Sequence, residues 1–151
     1  MKRRVILITM ILSLVLSGCG TSAPVSNESD KTVKERATMN IEINGQIASV
    51  QLEDNATTAA LMADAPFTIK MDDLHGNEKY HYFDKVFPTD AQSVQTIEAG
   101  DVLLYQNNCL VIFYEAVEPA AEYTRIGKIT DFEDIQSLFA PESVQIRFLK
   151  E

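Results

Sequence analysis

The sequence predicts a mainly β fold: a closed eight-stranded barrel with two short helices. Three observations point there. Apolar residues recur at every second position in many short runs, the pattern of strands with one buried face. Tight-turn residues separate the runs, as at Asn44-Gly45, His75-Gly76-Asn77 and Asn107-Asn108. Only two stretches carry helix signals, which suits a barrel whose open ends need covering.

Residues 39–43 alternate, and so do residues 47–52, with Ala48, Val50 and Leu52 on one side. Asn44-Gly45 between them is a strong short hairpin signal, because both residues tolerate positive φ. Asp54-Asn55 caps a helix over residues 56–65, rich in Ala, Leu and Met, with Ala59, Leu61 and Met62 toward the core and Pro66 as its stop. Phe67, Ile69 and Met71 alternate with Thr68, Lys70 and Asp72 in a strand, and residues 78–83 return as its partner after the turn. Residues 94–97 make a short strand. Residues 102–105 and 109–117 read as strands buried on both faces. Residues 123–129 form another strand, in which Gly127 marks a bulge or a close backbone approach. Thr130 and Glu133 have the spacing of a capping box, so a second helix is expected, burying Phe132, Ile135, Leu138 and Phe139 before Pro141. Val144, Ile146 and Phe148 alternate in a last strand.

The chain ahead of the barrel carries an export signal. Lys2-Arg3-Arg4 precedes an apolar run over residues 5–16, the length of a signal-peptide core and short of the ~20 residues of a membrane span. The run ends Leu16-Ser17-Gly18-Cys19, which resembles the lipobox of bacterial lipoproteins. That resemblance implies cleavage before Cys19, lipidation of its sulfur and attachment to a membrane outside the cytoplasm. In a cell with two membranes, Gly20 fits the outer-membrane sorting pattern. Residues 1–18 are thus the signal peptide, residues 19–38 a lipidated Cys and flexible tether, and residues 39–151 the folded domain.

The formal charge is −9, from 13 basic and 22 acidic residues. Removing Lys2, Arg3 and Arg4 leaves 10 basic residues against 22 acidic ones, a net −12. Such a surface repels phosphate backbones, which argues against nucleic acid as a partner. With Cys19 lipidated, Cys109 is single and the domain has no internal disulfide. Cys109 reads as a small buried hydrophobe, since no nearby base would make its thiol reactive.

A set of short matches, in order, carries a further resemblance: Asp54-Asn55 before a helix, Leu61, Pro66, Met71-Asp72-Asp73-Leu74, Gly76-Asn77-Glu78-Lys79-Tyr80, Gly100-Asp101, Phe113-Tyr114 and Arg125-Ile126-Gly127-Lys128. From Met39 onward the chain resembles the small bacterial cyclophilin-like domains. The resemblance implies an eight-stranded barrel with two helices, related to the peptidyl-prolyl isomerases. Isomerase activity in true cyclophilins rests on an Arg in a Phe-His-Arg run. The nearest analogue here, Lys79-Tyr80-His81-Tyr82-Phe83, has no Arg; none occurs between Arg36 and Arg125, and Trp is absent. Losing such a donor typically costs roughly 10²–10³ in rate.

The candidate site residues are Glu78, Lys79, Tyr80, Tyr82, Tyr105, Tyr114 and Arg125. Glu78-Lys79-Tyr80 with Arg125 makes either a polar pocket wall or a surface ion pair near a turn. Tyr80, Tyr82, Tyr105, Tyr114 and Tyr123 either line a groove for peptides or flat ligands or pack the barrel and its rim. A metal held by His75 and His81 with Asp72, Asp73 or Glu78 is disfavoured, because strand alternation does not converge them. No nucleophile has a visible partner, and no cofactor is implied. The expected function is therefore a lipid-anchored binding module for a peptide or small molecule. The alternatives are a weak prolyl isomerase or folding helper, and a lipoprotein that binds a partner without any small ligand.

Overall fold

The computed structural model describes residues 36–150. The signal peptide, Cys19 and most of the tether lie outside the described residues. Nine strands form: β1 (Thr38–Ile43), β2 (Gln46–Leu52), β3 (Phe67–Leu74), β4 (Glu78–Tyr82), β5 (Gln92–Ser93), β6 (Asp101–Tyr105), β7 (Cys109–Phe113), β8 (Glu122–Ile129) and β9 (Ser143–Phe148). All pairs are antiparallel, and eight strands run in the ring order β2-β1-β9-β3-β4-β7-β6-β8. Pairing of β2 with β8, Val50 opposite Ile129 and Leu52 opposite Gly127, closes the barrel. The short β5 adds to the start of β8, Gln92 opposite Tyr123.

The interior is filled by alternate residues from around the ring, among them Ile41, Met71, Leu110, Ile112, Ile126 and Ile146, each at most 1% exposed. Transfer of such side chains from water contributes about 1.5–3 kcal/mol each. A second apolar layer lies on the outer face of β6 and β7, where Leu103, Cys109, Val111 and Phe113 pack with Val94 and Ile97. This is why both faces of those two strands are apolar in the sequence.

The helix α1 spans Ala56–Ala63. Asn55 caps it, its Oδ1 accepting from the Thr58 N–H at 2.8 Å, while its Nδ2 donates to the Arg125 carbonyl at 2.7 Å. Thr57, Thr58 and Leu61 face inward and Ala59 is exposed, so the buried face is rotated from the one expected. The threonines are accommodated because their hydroxyls donate to the carbonyls of Pro88 and Ile126.

The second helix does not form as an α-helix. The segment makes two 3₁₀ turns, Phe132–Asp134 and Gln136–Phe139. Thr130 stays joined to β2, its N–H and its hydroxyl both donating to the Ser49 carbonyl, which holds the residue on the strand pairing. Asp131 then takes φ +51°, which breaks the helical start. Phe132, Ile135 and Phe139 are still buried, as the apolar spacing required. Two strands are also displaced from expectation. β5 lies at Gln92–Ser93, and Ile97 makes only an isolated bridge to Val117. β7 ends at Phe113, because the Tyr114 and Glu115 N–H groups turn to the Asn77 carbonyl.

Candidate functional site

A groove of about 570 Å³ opens on the outer face of the β4-β7-β6-β8 wall, over the second apolar layer. Strand alternation decides what reaches it. Glu78, Tyr80 and Tyr82 of β4 line the groove, whereas Lys79 between them is buried on the other face. Tyr105 of β6 and Tyr123 of β8, opposite each other in register, form the far wall with ring centroids 5.8 Å apart. Phe113 meets Tyr123 edge-on at 5.9 Å, and Tyr80 meets Tyr82 edge-on at 5.9 Å. The remaining wall is the loop after β7, with Val117, Glu118, Pro119 and Ala121. At one end stand Leu74, His75 and Asn77 of the β3–β4 turn.

The electrostatics are acidic. Burial pushes the Glu78 carboxyl above the usual range, with Asp73 raising it further against a lowering by His75. Glu118 is the second carboxylate of the lining, and neither Lys nor Arg is part of it. Burial likewise pushes the Cys109 thiol up, so at neutral pH it is a protonated, apolar part of the floor.

Three of the seven expected site residues lie elsewhere. Lys79 is fully buried, and its ammonium donates to Asp73 Oδ1 and to the Pro141 carbonyl, both at 2.6 Å. Tyr114 donates to the same Asp73 oxygen at 2.6 Å, and the Lys79 Nζ sits 5.0 Å over its ring. These two residues join β3, β4 and the turn before β9; they do not line the groove. Arg125 lies 3.5 Å from the buried Asp101 carboxylate and donates to the Thr96 carbonyl at 3.2 Å. It forms no wall with Glu78 and Tyr80. The period-two rule already placed Lys79 opposite Glu78 and Tyr80, and Arg125 opposite Tyr123's neighbour Thr124; the ring order needed to locate Arg125 is not in the local pattern. Phe113, Glu118 and the loop wall were not among the expected site residues. Their one signal was the small, Pro-containing run Glu118-Pro119-Ala120-Ala121, which reads as any loop does.

His75 lines the groove, whereas His81 holds the Lys70 carbonyl through Nδ1 at 2.9 Å and packs edge-on against Phe83. No group of three or more His, Cys, Asp or Glu among the described residues is placed to hold a metal.

A model of the Cyclophilin-like family matches residues 41–149, nearly the whole barrel. The chain belongs to the cyclophilin-like family. The solution structure of the hypothetical protein AF2241 from Archaeoglobus fulgidus is similar over 78% of this chain and 96% of that one, with a TM-score of 0.55 and 19% identity. At that identity the likeness is one of fold. No curated protein matches the chain.

Proposed function

We propose that this chain is an exported lipoprotein, anchored through lipidated Cys19, whose barrel holds a peptide or small molecule in the tyrosine-lined groove without catalysing a reaction on it. The observation that carries the reading is the groove itself: about 570 Å³, apolar in its floor, walled by tyrosine rings, with Glu78, Glu118, His75 and Asn77 at its edges. Ligand sites typically occupy roughly 300–1,000 Å³ with this kind of lining. The resemblance of residues 16–19 to a lipobox supports a barrel held outside the cytoplasm, with residues 20–38 as its tether.

The non-catalytic part rests on the missing electrophile. Prolyl isomerisation needs a donor to polarise the amide, and the lining offers no guanidinium or ammonium. Lys79, between two groove residues, is buried on the other face, and Arg125, two residues from Tyr123, is engaged by Asp101 and Thr96.

The test uses the full chain in dodecyl maltoside micelles, screened against a broad set of short peptides and small molecules. Binding at 100 times the dissociation constant stabilises by about 2.7 kcal/mol, a clear rise in melting temperature. An unmoved melting temperature across the whole set overturns the binding reading. Acceleration of prolyl isomerisation in peptides with varied residues before proline, lost on Tyr80→Ala, would replace it with the enzyme.

A further inference from the structure

The groove's aromatic rings and its carboxylates point to one kind of ligand, and the inference rests on the binding reading above. Four of the chain's five tyrosines, Tyr80, Tyr82, Tyr105 and Tyr123, line it. The faces of such rings carry partial negative charge and attract cations, and the attraction grows where water is thinned out. The fifth tyrosine shows the same chemistry satisfied internally, since Tyr114 has the Lys79 ammonium over its ring. Among the described residues no lysine or arginine stands over the other four.

The charge balance agrees. Glu78 is a half-buried carboxylate that forms no ion pair with a lysine or arginine among the described residues; His75 is its one basic neighbour. A partly desolvated charge without a close ion-pair partner gains when something positive arrives. Glu118 adds a second negative group on the opposite loop, and the neighbouring His75 is the lone basic side chain of the lining. An anionic ligand would face two carboxylates and no donor cation. A neutral apolar ligand would use the floor but leave Glu78 uncompensated.

We propose that the groove is a site for an organic cation, an alkylated ammonium or a guanidinium group, seated among the tyrosine rings with its charge facing Glu78. The group can belong to a free small molecule or to a basic side chain of a peptide.

The chain supplies its own reporter. It contains no Trp, so tyrosine emission reads out largely the groove. The full chain in maltoside micelles, a detergent without a charged head, is titrated with four probes. Choline and benzyltrimethylammonium represent free cations. A tripeptide with a central arginine and blocked ends represents the peptide source. 3,3-Dimethyl-1-butanol has the shape of choline with a neutral carbon in place of nitrogen.

The expected result is a saturable change in tyrosine emission with a cationic probe and at least about tenfold weaker binding of the neutral isostere. Whichever of the small cations or the tripeptide binds more tightly identifies the source. Glu78→Gln weakens the cation about tenfold and leaves the isostere unchanged. Tyr80→Leu, which keeps the apolar area and removes the ring, does the same in part. Equal affinity for choline and its neutral isostere overturns the cation assignment while leaving a binding groove in place. So does a Glu78→Gln protein that melts normally and binds the cation as the parent does. No saturable change with any cationic probe at millimolar concentration also overturns it, and the binding reading is then judged by the wider set.

Discussion

Lys79 and Asp73 meet at 2.6 Å with the lysine entirely out of solvent, and the pair fastens β4 to the end of β3. The ammonium also donates to the Pro141 carbonyl, so one side chain ties the β3–β4 hairpin to the turn that leads into β9. It was expected in a polar pocket wall or a surface ion pair near a turn; it is a buried clamp instead.

Truncating the clamp leaves Asp73 and the Pro141 carbonyl without the ammonium that joins them. Lys79→Ala is expected to cost about 2–4 kcal/mol, toward the lower end of what breaking a buried pair costs because Asp73 is partly exposed. Lys79→Met keeps the volume and should cost less. Urea unfolding of both variants checks this; equal stability of Lys79→Ala and the parent would remove the clamp from the account.

The same network sets an acid limit. Hydrogen bonds first from Lys79 and then from Tyr114 hold the Asp73 carboxyl down at about 2. Its folded value is below its unfolded one, so the unfolded chain binds the extra proton. Stability from Asp73 is therefore full above about pH 4 and is lost as the pH falls toward about 2. Glu78 runs the other way: its folded value is raised, so it lowers stability at neutral pH and stops doing so once protonated. Unfolding measured across this range should show Asp73→Asn less stable at pH 7 and flatter in acid. Glu78→Gln should be more stable than the parent at pH 7.

Barrel closure depends on Gly127. A Cβ there would strike the Gln51 carbonyl oxygen and press on Val50 Cγ1 at 3.1 Å, across the seam between β8 and β2. Gly127→Ala should cost about 1–3 kcal/mol or more, since backbone on a closed ring cannot retreat. Gly76→Ala, at φ +71° in an open turn, should cost only about 1–2 kcal/mol through the left-handed backbone. Paired thermal melts decide the order of the two.

Anchoring is tested at Cys19. If the proposed lipidation is right, the parent incorporates labelled fatty acid and is processed to a shorter chain, and Cys19→Ala loses the label and stays at full length. Absence of label on the parent, or the same label on Cys19→Ala, would overturn the anchor at Cys19.

Glu78, Tyr80 and Tyr82 were legible as residues of one outward face because strand alternation puts them there, and Tyr105 lines the same groove. Lys79, Tyr114 and Arg125 were not separated from them. A lysine beside a turn is ordinarily solvated, and only the meeting of β3, β4 and the turn before β9 shows that this one is enclosed. The second helix was misjudged for a related reason. Thr130 and Glu133 satisfy the local capping pattern, but Thr130 is held to the Ser49 carbonyl of a strand some eighty residues away and Asp131 turns left-handed after it.

The sequence by itself determined the class of fold, the order of its strands along the chain, the turns and nearly all of the buried core. These follow from periodicity and turn chemistry, which act over a few residues. Only the tertiary structure decided the ring order, the closure at Gly127 and which polar side chains are enclosed. It alone placed Tyr80, Tyr105 and Tyr123 around one groove and enclosed Lys79 on the opposite face. Those outcomes depend on contacts between strands distant in sequence, where a partner's position settles whether a charge is paired or left facing the groove.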